Sequence, residues 1–197
     1  MGKVFKAFAN VTGSKNLTPE VKRMLDDLAK TQVLVGIPEG GGNERGAEIT
    51  NAQLLYVHTH GARKKEMREE MNPQIESGEQ TYSQAYQLYI QTHGSPLWQS
   101  PPRPVLEPAI EKNKEVIGKQ LQKVATTVLD GQDPDQELQK AGMLGQNIAR
   151  AWFTDPANGW PANAESTIEA KGSDRPLIDQ GEMRKAITYV VDKGEMQ

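Results

Sequence analysis

Three histidines, His58, His60 and His93, are the side chains best suited to chemistry at neutral pH, as metal ligands or as general bases. His58 and His60 stand two apart, which on a helix sets them about 200° around the axis; they share a metal only where the helix has already ended. His60 and His93 occupy equivalent places in a duplicated segment, each just before a glycine. A histidine there suits the negative end of a helix and donates to its last free carbonyls, so a structural role is the expected one. The carboxylates Asp26, Asp27, Glu66, Glu69 and Glu70 fall in charged runs that read as solvated faces, not as acid–base pairs. With no cysteine, a thiol nucleophile, a disulfide framework and a cysteine zinc site are excluded. EGGGNERG (39–46) lacks the spacing that aligns amides on a phosphate. No catalytic, cofactor-binding or metal-binding residue is assigned. The enzymatic rival is a metal-dependent hydrolase built on the three histidines.

The elements around these residues follow from periodicity. Thr18 caps and Pro19 opens a helix in which Val21, Met24, Leu25 and Leu28 share one face, to about Lys30. The period then drops to two through TQVLVGI, where Val33, Val35 and Ile37 alternate as a half-buried strand. TNAQLLYVHTHGA (50–62) returns as SQAYQLYIQTHGS (83–95), each copy a short helix ending at its glycine. Two copies do not build a solenoid, which needs about three stacked units. Between them lies a charged insertion, residues 62–82, expected to begin as a solvated helix and to break at Pro73. The segment 95–108 carries five prolines and reads as an extended, rigid arm. One long helix is expected from about Leu106 to Leu129, with Ile110, Ile117, Leu121, Val124 and Val128 on its buried face. A second starts after Asp133-Pro134, with Leu138, Ala141, Leu144, Ile148 and Ala151 buried and Trp152 at its end. A loop, a short extended piece at Ser166–Ala170, the turn KGSDRP, a short helix or turn at 177–184 and a strand AITYVV (186–191) complete the chain. The fold class is α+β: a small antiparallel sheet packed against two longer helices, with extended arms, read as one domain over 1–197.

Composition narrows the function classes. Apolar residues make up 36% and aromatics 6%, and the net charge is −3 with both signs interleaved, so no basic block marks a phosphate-binding surface. No run reaches the roughly 18 apolar residues of a membrane span, and MGKVFKAFANVTG lacks the apolar core of a signal peptide. A soluble protein made in a reducing cytoplasm is expected. Trp98, Trp152 and Trp160 stand on irregular segments or helix ends, where they pack beneath the chain's own helices or anchor in a neighbouring subunit.

Three pieces, in order, are similar to the virion-morphogenesis and tail-completion (neck) proteins of tailed bacteriophages. The first is the helix with a His- and Gly-containing turn, YVHTHG and YIQTHG, followed by the Pro-rich stretch and RPVLEPA (Arg103–Ala109). The second is the long helix and the shorter one ending IARAW (Ile148–Trp152). The third, and most specific, is STIEAKGSDRPLIDQGEMRKAITYVV (Ser166–Val191). The likeness covers roughly residues 32–61 and 83–192. The chain departs from the pattern in its second helix-and-turn copy, in the charged insertion, and at Gln180, where Ser or Thr is common.

The resemblance implies a structural subunit without catalysis or cofactor: a ring, of six copies or alternatively twelve, joining the portal–adaptor complex to the tail. Its partners would be further copies and neighbouring neck, adaptor or tail proteins. It would sit in a virion assembled in the bacterial cytoplasm, with genomic DNA passing unbound through the channel and no membrane contact. Inter-subunit contacts are expected at Trp98, Arg103 and Pro104 in the Pro-rich arm, at Trp152 and Trp160, and at the turn Pro176, Leu177, Ile178, Asp179 and Gly181. A tail terminator capping the tube and a non-virion assembly chaperone are the alternative roles.

Overall fold

Alternation of Val33 and Val35 with polar or small neighbours demands a sheet with one covered face, and the computed structural model supplies it. The structure describes residues 3–6, 19–38, 49–93 and 98–194. In chain order the elements are β1 (Lys3–Lys6), α1 (Pro19–Lys30), β2 (Gln32–Gly36), α2 (Asn51–His60), β3 (Ala62–Arg63), α3 (Lys65–Glu76), α4 (Tyr82–His93) and β4 (Trp98–Ser100). They continue as α5 (Leu106–Lys112), α6 (Lys114–Leu129), α7 (Asp135–Trp152), α8 (Glu165–Lys171), α9 (Glu182–Ala186) and β5 (Thr188–Asp192). The fold is α+β, as expected. The capping by Thr18 and the glycine-rich loop 39–46 lie outside the described residues.

The chain divides into two compact units, Met1–Leu55 with Val105–Gln197, and Tyr56–Pro104. In the first, β2 is the centre of an antiparallel sheet ordered β1-β2-β5, with Val35 opposite Tyr189 and Val33 opposite Val191. Helix α7 packs on both β2 and β5. Two buried glycines let it approach: a Cβ on Gly145 would stand 2.8 Å from Val35 Cγ2, and one on Gly142 would strike the Tyr189 ring. Two apolar clusters result. Leu28, Val33, Val124, Val128 and Leu138 join α1, β2, α6 and α7. The larger cluster gathers Val35, Ile37, Leu55, Val105, Leu106, Ala109, Ala149, Trp152, Phe153, Met183 and Ile187.

Several expectations need correction. The long helix from Leu106 is two helices, because the Asn113 side chain donates to Ala109 O at 2.8 Å. That is the carbonyl its own backbone N–H would take in a continuous helix; the N–H turns to Ile110 O instead, at 3.1 Å. Ala151 is exposed and Ala149 is buried in its place. Ser166–Ala170 is helical within α8, which closes at Gly172 (φ 66°) with Gly172 N donating to Ile168 O. The last strand starts at Thr188, since Ala186 still belongs to α9. The strand β1 was not foreseen.

The second unit holds the charged insertion, and Pro73 does not break its helix. Met67 and Met71, one turn apart on α3, are buried against Ala85 and Tyr89 of α4. Burying two methionines contributes about 3–6 kcal/mol, enough to offset the roughly 3 kcal/mol cost of an interior proline. The helix is therefore packed along one side and not solvated all round. A two-stranded ladder, β3 with β4, brings Arg63 opposite Trp98.

Candidate functional site

The duplicated helices end alike. His60 Nδ1–H donates to Tyr56 O at 2.9 Å and its ring lies 4.2 Å from the Tyr56 ring. In the second copy His93 Nδ1–H donates to Tyr89 O at 3.2 Å, again with ring centroids 4.2 Å apart. Both imidazoles cover the last turn of a helix, the role their position before a glycine suggests. The copies differ in their surroundings: Tyr56 is exposed whereas Tyr89 is buried, and His93 Nε2 faces Glu70 Oε2 at 3.4 Å. Beneath it, burial first, then Glu70 and Glu66, hold the Tyr89 phenol above its usual value. Among the described residues no group of three or more His, Asp or Glu side chains converges to hold a metal.

The interface candidates of the first unit cluster at the C-terminal end of α7. Arg150 Nε and Nη2 donate to Ile187 O (3.0 Å) and Lys185 O (2.7 Å), while Arg184 Nε donates back to Arg150 O at 2.9 Å. This reciprocal staple fixes α9 and the lead into β5, directly after the turn Pro176–Gly181, to the helix. Leu177 is held at φ 59°, a strained value for a side-chain-bearing residue. Leu177 and Ile178 pack on the larger core cluster, which keeps the strain in place. Pro176 and Gly181 are half-buried, whereas Asp179 and Gln180 point outward beside a surface hollow of about 430 Å³ that Arg150, Arg184 and Lys185 also line.

Trp152 is 4% exposed and belongs to the core. Lys112 Nζ stands 5.4 Å from its ring and pairs with Asp155 at 2.8 Å. That hydrogen bond first, then one from Ala157 N–H, holds the Asp155 carboxyl below its usual range. Trp160 is half-buried, edge-on to Phe153 at 5.8 Å.

In the second unit Trp98 is half-buried against the Arg63 guanidinium, 3.7 Å from its ring centroid. Arg103 is buried; its N–H donates to His58 O at 2.6 Å, and burial holds its guanidinium below its usual value. Pro104 is half-buried. The structure thus brings the turn 176–181 together with Trp152 and Trp160 in one unit, and Trp98, Arg103 and Pro104 together in the other. Sequence reasoning missed Arg150, Arg184 and Arg63. The two former carry no local signal, and Arg63 stands at the head of a run of cations that looks uniform.

No protein-family model, curated protein or solved structure matches this chain. Among the described residues no helix is long and apolar enough to cross a membrane.

Proposed function

We propose that this protein is a structural subunit of a tailed-phage neck, a ring that joins the portal–adaptor complex to the tail and surrounds the DNA channel. One observation supports the reading above the rest. Parts of all three pieces that carry the resemblance, though far apart in sequence, meet in one core, the His- and Gly-containing turns excepted: Val105, Leu106 and Ala109 from RPVLEPA, Ala149 and Trp152 from IARAW, Leu177 and Ile178 from PLIDQG, and Ile187 from the last strand. Residues that specify a common core are what a shared architecture retains when surfaces diverge. The polar side chains beside the turn secure backbone carbonyls, and the two helix-end histidines do the same. These are the duties of a scaffold.

The test is the mass of the purified protein by light scattering, with negative-stain imaging. A closed ring with a central hole, of six copies, is the expected result. A chain that stays monomeric both alone and with purified tails overturns the reading.

A further inference from the structure

The Arg63 guanidinium lies between two aromatic rings, 3.7 Å from the Trp98 centroid and 4.7 Å from that of Tyr86. Tyr86 stacks in turn on Tyr82, with centroids 6.2 Å apart, and Tyr82 is 55% exposed. The row Trp98, Arg63, Tyr86, Tyr82 therefore ends at the surface. Rings on both sides remove water from the faces of the cation. Its Nη1 is buried and meets no acceptor, and among the described residues no carboxylate pairs with it. Its other two nitrogens are not sealed in this way. A cation that is partly desolvated and has no counter-charge is unfavourable until a carboxylate completes it, and the planar fork of arginine suits that guest.

The surroundings select the source of the carboxylate. Tyr56–Pro104 holds five Lys and Arg against five Glu, so no net field draws a polyanion such as DNA. Glu69 pairs with Lys65 and Glu70 faces His93. Glu76 and Glu79 are exposed on the turn between α3 and α4, and no Lys or Arg occurs in the sequence between Arg68 and Arg103. That turn is exposed and acidic, and among the described residues neither glutamate pairs with Arg63 of its own chain. We propose that the α3–α4 turn of one copy places Glu76 and Glu79 against Arg63 of the next copy, flanked by Tyr82 and Tyr86. Unreciprocated, such a contact is head-to-tail, the kind that closes into a ring; reciprocated across a two-fold it would stop at a dimer. The choice of a second copy as partner rests on the neck-ring reading.

The experiment compares full-length wild type with Arg63→Met, Glu76→Gln/Glu79→Gln and the combined variant, by light scattering across a salt series. Methionine keeps an apolar stem between the rings without the charge, and melting curves check the fold. Wild-type assembly is expected to weaken with salt. Each variant is expected to assemble about thirtyfold more weakly or worse, the low end for truncating a desolvated charge pair, with no lower melting temperature when the chains are compared dissociated, at high salt. The combined variant should lose no more than either parent, since both remove one contact. Rings of Arg63→Met that match wild type overturn the contact and leave the neck reading standing; so do losses that add. Duplex DNA retained by wild type and released by Arg63→Met, with assembly unchanged, also overturns it and assigns the site to nucleic acid. A wild type that is monomeric alone overturns the contact, while addition of purified tails separately decides the neck reading.

Discussion

Gly61 stands at φ 74°, and a Cβ there would meet Trp98 Cζ3 at 2.6 Å and the Pro102 backbone nitrogen at 2.9 Å. The ring could turn, but the backbone atom has no such freedom. Two penalties therefore add, the left-handed conformation and the overlap, so Gly61→Ala should cost about 2–4 kcal/mol. A urea titration followed by tryptophan fluorescence reads this, and an unchanged midpoint would show that the turn relaxes freely. At this scale the sequence was informative where the cause is local. A histidine one turn after a tyrosine and just before a glycine has few ways to satisfy itself, and His60 and His93 both adopt the same one. Arg63 was illegible because its environment is assembled by Trp98 and Tyr86 from distant positions.

Elements were legible where a single periodicity governed them, as in α1 and β2, and misread where a side chain competed with the backbone or packing overrode propensity. Asn113 splits a helix by taking a carbonyl. Pro73 fails to split one because its neighbours are buried. In α8 the residues Ser166–Ala170, expected as a short extended piece, are helical; Glu165 at the start and Gly172 at the end are the helix signals that prevailed. Between elements, Asp155 joins the end of α5 to the turn after α7, accepting from Lys112 Nζ and from Ala157 N–H. Its carboxyl is held below the usual range, so its contribution is present above the unfolded value, near pH 4, and is lost as pH falls through the lower folded value. Wild type should therefore lose stability on acidification below about pH 4 more steeply than Asp155→Asn, with the two converging at the lowest pH. Parallel denaturation midpoints down the pH series would mean that the pair contributes nothing to folding.

The two units differ in how much core they own. The first carries two clusters of buried side chains, whereas the second has the small one of Met67, Met71, Ala85 and Tyr89. Opening free energy follows buried apolar contact, so amides of α3 and α4 should exchange with solvent well before those of α7 and β2 in the unassembled chain. Such a hairpin is the kind of element that partner contacts stabilise, because little of its order is secured within its own unit. If Glu76, Glu79 and Arg63 meet between copies, the α3–α4 turn and the start of α3 should gain protection on assembly beyond any general rise shared by α7 and β2. Hydrogen-exchange mass spectrometry on assembled and dissociated protein, the latter obtained at high salt, separates the cases. Protection that rises at the turn 176–181 and not at 76–82 would move the subunit contact to the first unit and away from the hairpin.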